Sequence, residues 1–324
     1  MSKFIAPALW LQHDRPVGAG SEVGFDGGFG YLKTMLTLPA MLLFGGGLSF
    51  WIGLLSGRRA LLFGGGVSLG ALFGWMVVRG NVHPAILPAL AGFVALAWAL
   101  ATNRLSTFAT RSVGGFVYVL VVLLLGFRGL PGFDPVLLLE TDSGAFRFPP
   151  EKLILLGIVP PLVLAPAEPE RWQRGLDRPG RTFALLLSAT LLTLIPLALG
   201  LGHARPGWAT ASAFALACTL AYNLVFVCVL EESFFRGMVQ TALMRWARRR
   251  RWPCADGLGL LGASLLFGAV HLGGGAAFAL LATLAGFGYG AAYYLTGRIH
   301  YAVLLHFVVN AVYQIAFAIP TVVS

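Results

Sequence analysis

Glu231-Glu232-Ser233-Phe234-Phe235-Arg236 lies between Leu224–Leu230 and Met238–Leu243, in one of the most apolar stretches of the chain. A charged side chain at mid-membrane costs about 2.5–3.5 kcal/mol on insertion scales, so ionisable groups there usually mark a site with partners nearby. On a helix, Glu232 and Arg236 are i and i+4 and can form an ion pair; Glu231 points roughly 100° away, free to face a cavity. The same four-residue spacing joins Phe267 to His271 and His306 to Asn310. A glutamate in an apolar cavity can act as general base toward water. Histidine and asparagine donors facing it could stabilise the oxyanion formed when that water attacks a carbonyl. Alternatively, Glu231, His271 and His306 make a His₂Glu set, one of the ligand combinations of catalytic zinc. There is no H-E-x-x-H string, which excludes a soluble-type zincin.

The elements carrying these residues must be membrane helices. The chain has 324 residues, 57% of them hydrophobic and 11% charged. A soluble domain carries roughly 25% charged residues, so the composition predicts an all-α polytopic bundle. A spanning helix needs about 20 mainly apolar residues. Windows of that kind fall at about 35–56, 60–79, 84–102, 113–127, 151–166, 182–202, 209–244, 257–272, 275–296 and 299–319, ten in all. The fifth is short and holds Pro160-Pro161, so it reads equally as re-entrant or interfacial.

The net charge of +10 invites a nucleic-acid reading, but the arginines cluster between apolar spans. The positive-inside rule accounts for them, so no nucleic-acid partner is expected. Arg58-Arg59, Arg104 with Arg111, Arg171 through Arg181, Arg245 through Arg251, and Arg298 fall in alternate connections. That places those loops in the cytoplasm and both termini outside if all ten spans form. The segment Arg245–Trp252 is the strongest anchor, suited to an anionic leaflet. The polar first 33 residues point to no cleavable signal peptide, and Cys218, Cys228 and Cys254 lack metal-ligand spacing.

Counting inward from the basic loops at about 1.5 Å per residue, Glu231 and His271 each lie roughly 20 Å deep. His306 and Asn310 lie roughly 12 and 18 Å deep. Three helices thus bring a carboxylate, two imidazoles and an amide to one level, which outweighs the ordinary reading of a lone intramembrane histidine as hydrogen-bonded packing.

Taken together, Glu231-Glu232-x-x-Phe235-Arg236-Gly237, Phe267-x-x-x-His271 and His306-x-x-x-Asn310 resemble the three motifs of the CPBP family, which comprises type II CAAX prenyl endopeptidases and bacteriocin-processing (Abi) proteins. The resemblance covers about residues 180–319. It implies an intramembrane endopeptidase in which Glu231 activates water. By the same match, His271, His306 and Asn310 would polarise the carbonyl, and Glu232 and Arg236, with Phe267, would support the site. Family names imply a metalloprotease, with zinc on Glu231, His271 and His306; a metal-free glutamate mechanism is the alternative. Expected substrates are membrane-anchored proteins or peptides, either CAAX-type or with a C-terminal sorting tail as in some bacterial relatives. The expected location is integral to a membrane, the bacterial inner (plasma) membrane.

The domain reading is a polar tail at 1–34, a transmembrane extension at 35–150 and a protease core at 151–324. A proton-coupled transporter and a catalytically silent scaffold or immunity protein are the competing classes. The repeated LLFGGG strings at Leu42–Gly47 and Leu61–Gly66, and Gly286, Gly288 and Gly290, read as close helix packing. Gly129–Lys152 reads as a solvated connection. Tyr222, Asn223 and Gln240 read equally as cavity lining or interhelical hydrogen bonds. His13, His83, His203 and His300 carry no weight.

Overall fold

The computed structural model describes residues 38–102, 104–105, 107–141, 144–164, 178–208 and 213–318. The predicted tail at 1–34, His13 and Arg171 through Arg174 lie outside them.

The described chain is helical apart from two short strand pairs. In order the helices are α1 (Leu38–Ser56), α2 (Arg59–Val78), α3 (Leu87–Ala101), α4 (Phe108–Gly126), α5 (Glu151–Leu164) and α6 (Pro179–Gly200). They continue as α7 (Ala213–Arg249), α8 (Ala255–Val270), α9 (Ala276–Thr296) and α10 (Ile299–Ala316). Among the described residues, five helices, α2, α6, α7, α9 and α10, are long and apolar enough to cross a membrane. The expectation of ten spans is therefore met for five among the described residues.

Local chemistry fixes several boundaries. Thr107 and Thr110 form a reciprocal capping box that starts α4. Gly297, at φ +66°, ends α9 in the left-handed region, its N–H donating to Tyr293 O at 2.8 Å. The chain then turns directly into α10.

The LLFGGG strings pack α1 on α2. A Cβ on Gly46 would sit 2.8 Å from the Ser68 Cβ, and one on Gly53 or Gly65 would strike the partner helix's backbone. Gly47 instead lets α1 approach Val225 and Phe226 of α7. Gly66-Val67-Ser68-Leu69-Gly70 spells the G-x-S-x-G of a nucleophile elbow, yet it lies mid-helix in α2, where Ser68 Oγ donates to Gly64 O. The strand-to-helix turn that would expose such a serine is not formed there.

The connection at Gly129–Lys152, expected to be solvated, carries two strands among its described residues. Strands β1 (Val136–Thr141) and β2 (Gly144–Phe148) pair antiparallel as a hairpin, with a register shift between Leu137 and Leu139. Phe148 is wholly buried, its ring edge-on to Tyr222 and Phe226 of α7 at 6.1 and 5.1 Å. Pro149, Pro150 and Glu151 are buried behind it. In α5, Leu153, Leu155, Leu156, Ile158 and Val159 are all buried, and the helix packs on the middle of α7.

Candidate active site

The middle of α7 is not a regular α-helix. Asn223–Cys228 and Ser233–Gln240 are π-helical and flank a single α-helical turn, Val229–Glu232. Such widened segments are rare and frequently coincide with functional sites. The Thr241 hydroxyl supports the second one by donating to Arg236 O, five residues back, at 2.9 Å.

The two adjacent carboxylates on that turn differ completely. Glu232 is fully buried: Oε2 accepts from Arg236 Nε and Oε1 pairs with His306 Nδ1, each at 2.9 Å. The expected Glu232–Arg236 pair is present, with His306 from α10 as an additional partner. Arg236 is equally buried, its guanidinium over the Phe267 ring at 5.2 Å. Breaking a buried pair from one side costs about 3–5 kcal/mol, so this cluster ties α7, α8 and α10 together. Glu231 is half-buried and makes no hydrogen bond or ion pair among the described residues.

His271 caps α8 instead of continuing it. Phe267 O is one of the carbonyls left over at the helix end, and His271 Nδ1 meets it at 2.6 Å. The predicted span at 257–272 thus ends as helix at Val270. With Nδ1–H donating to the carbonyl and His306 Nδ1 engaged by Glu232, both rings leave Nε2 for other partners. Phe267 joins them, its ring 4.6 Å from His271 and 5.8 Å from His306. Gly286 on α9 leaves room for this: a Cβ there would lie 3.1 Å from Phe267 and 3.4 Å from Arg236.

Asn310 Nδ2 donates to Asn223 Oδ1 at 3.3 Å and reaches Cys228 Sγ at 3.8 Å. The amide expected to face a carbonyl is therefore engaged with α7. Of the polar residues left open above, Asn223 and Gln240 make interhelical hydrogen bonds, Gln240 Nε2 donating to Gly290 O at 3.1 Å. Among the described residues, no three His, Cys, Asp or Glu side chains stand close enough to share a metal ion. The zinc set of Glu231, His271 and His306 does not fit this geometry, although both Nδ1 atoms have the second partner that zinc-ligating histidines usually need.

Three residues near the site carried no sequence signal. Tyr289 of α9 stacks on His306 at 4.5 Å and 14°. His203 stacks on Phe278, which in turn meets the His271 ring edge-on. Lys152 lies in the first turn of α5, the helix that packs on the middle of α7. Each comes from an element outside the three motifs, and only contact in space reveals it.

Residues 213–312 match the family model of type II CAAX prenyl endopeptidase Rce1-like proteins. This region is a CAAX-protease (CPBP) family domain. No curated protein and no solved structure matches the chain. The CAAX-protease domain contains all three motifs described above, and its family is one of membrane endopeptidases. With five helices able to cross a bilayer, the chain is an integral membrane protein.

Proposed function

We propose that the chain hydrolyses a peptide bond of a membrane-anchored protein or peptide, with Glu231 activating the attacking water. The observation that carries this reading is the contrast between adjacent carboxylates. Glu232 is spent on Arg236 and His306, whereas Glu231 has no such partner and is partly accessible. Glu231 takes a proton from water, and the hydroxide attacks the scissile carbonyl carbon. The tetrahedral oxyanion is met by Nε2–H of His271 and His306, which requires each ring doubly protonated, since its Nδ1–H is already given to Phe267 O or to Glu232. Asn310 adds a donor when a substrate carbonyl displaces Asn223. The proton on Glu231 passes to the leaving amine as the C–N bond breaks, which restores the carboxylate. Glu232, Arg236 and Phe267 hold the three helices in register.

The substrate class follows from the setting: a site among apolar helices is reached by segments already tethered to the bilayer. CAAX-type prenylated peptides and C-terminal sorting tails are the two forms to test. Purified protein in lipid, given membrane-tethered peptides of both kinds, should cleave at one class, and Glu231→Ala and His271→Ala should abolish that cleavage. Cleavage that survives a strong zinc chelator supports the metal-free route. Absence of cleavage from every peptide, with the protein folded, would favour a silent scaffold.

A further inference from the structure

Three rings meet beside the buried Glu232–Arg236 pair, and one of them, Tyr289 of α9, belongs to none of the three motifs. Its ring lies nearly parallel to that of His306, with centroids 4.5 Å apart and planes 14° apart, and the residue is buried. Phe267 stands edge-on to both, 5.8 Å from His306 and 6.0 Å from Tyr289. His306 thus has an aromatic face on one side and an aromatic edge beside it.

The sequence around Tyr289 holds it in that position. In Gly286-Phe287-Gly288-Tyr289-Gly290 the glycines on either side of the tyrosine face different neighbours. A Cβ on Gly288 would lie 2.5 Å from Thr190 Oγ1 of α6. One on Gly290 would lie 2.7 Å from Gln240 Oε1 of α7 and would strike Leu260 of α8. Small residues here let α9 close on three helices at once. Gln240 Nε2 donates to Gly290 O at 3.1 Å, which pins α9 to α7 at the residue next to Tyr289. On the other side of the stack, His306 Nδ1 is engaged by Glu232 Oε1 at 2.9 Å. That single hydrogen bond constrains where Nδ1 lies but only loosely the tilt of the imidazole. A parallel aromatic face sets the plane of the ring, and with it the direction of Nε2.

We infer that Tyr289 is a positioning residue for His306: its stacked ring fixes the imidazole plane so that Nε2 is aimed at the substrate carbonyl. This rests on the role proposed for His306 in meeting the oxyanion. The arrangement has a counterpart within the same cluster. Glu232 serves both Arg236 and His306, and each of these is backed by a ring, Arg236 by Phe267 at 5.2 Å and His306 by Tyr289. An aromatic face favours a positively charged partner, so Tyr289 also suits the doubly protonated ring that the proposed mechanism asks of His306. The ring does this work and the phenolic hydroxyl does not, and Tyr289 acts through His306 alone.

The test uses full-length protein in lipid with the tethered peptide that wild type cleaves. Tyr289→Leu should lower kcat about tenfold to a hundredfold with KM within about twofold, as expected when a catalytic group is misaimed and binding is intact. Tyr289→Met replaces it if the leucine variant does not fold. Tyr289→Phe, which keeps the ring and loses the hydroxyl, should stay within about threefold of wild type. Unchanged kcat in a folded Tyr289→Leu, or a Tyr289→Phe as slow as Tyr289→Leu, would overturn the assignment while leaving Glu231 as base. A second measurement does not depend on activity: NMR of histidine-labelled protein, with the His306 ring signals identified by their loss in His306→Gln. The stacked ring should shift those protons upfield in wild type and Tyr289→Phe, and the shift should vanish in Tyr289→Leu. His306 signals that ignore Tyr289→Leu would refute the stack even if no substrate were found. Failure of wild type to cleave any peptide, with the shift present, would count against the endopeptidase reading and not against the placement of His306 by Tyr289.

Discussion

The two sides of α7 treat neighbouring carboxylates in opposite ways. Toward α8 and α10, Glu232 is closed in by Arg236, His306 and the Phe267 ring, with every component buried. Glu231, one residue earlier, is half-buried and makes no hydrogen bond or ion pair among the described residues. One residue of separation on a single α-helical turn, flanked by two π-helical segments, puts the two groups in these two environments. On the proposed mechanism, the closed side supplies stability and the open side supplies chemistry. Protonating Glu232 would weaken its pairs to both Arg236 and His306.

Substitutions can break this contrast. The largest effect is expected for Arg236→Met, which leaves Glu232 buried without its main partner and should cost about 3–5 kcal/mol of stability. Glu232→Gln, which strands Arg236 instead, should fall in the same range, and Glu231→Gln should cost less than about 1 kcal/mol. Unfolding midpoints in one detergent would rank them, and equal losses at Glu231 and Glu232 would erase the distinction.

Phe148→Ala comes next on the open side. Removing a buried aromatic costs about 3–5 kcal/mol in a core, but here much of the loss should be local, loosening the hairpin from α7. Limited proteolysis between β1 and β2 should accelerate before global unfolding changes. A side chain larger than hydrogen at Gly286 sharpens the closed side: Gly286→Val should cost about 1–3 kcal/mol by pushing on Phe267 and Arg236. The smallest effect belongs to Asn310→Leu, which loses an interhelical hydrogen bond worth about 0.6 kcal/mol on average in membranes. Its cleavage rate should fall by more than its stability if the amide also serves the substrate carbonyl.

The closed side was largely legible in the sequence, because it is written in helical spacing. Glu232 and Arg236 at i and i+4 announce their pair, and depth counting brings His306 to the same level. Depth could not decide which carboxylate His306 meets; that depends on helix rotation, which the π-helical segments alter. The span predicted at 257–272 includes His271, yet the helix ends at Val270 and the His271 ring takes over a helix-end carbonyl, a capping role that hydropathy does not report. The open side was nearly illegible. Val136–Thr141 lacks the alternation that marks a half-buried strand, so the hairpin passed for a loop. Lys152 then looked like a loop charge, when Phe148 and two prolines fix it against α7. Apolar composition alone also marked 151–166 as a span, where α5 is a 14-residue helix with much of its surface buried against the protein.

The most direct test of the central claim is single-turnover cleavage of a tethered peptide by Glu231→Gln, alongside its unfolding midpoint. The account predicts a fall of about 10²–10⁴-fold, the usual contribution of a general base, with the midpoint close to wild type. Cleavage within a few-fold of wild type by the folded variant would contradict it.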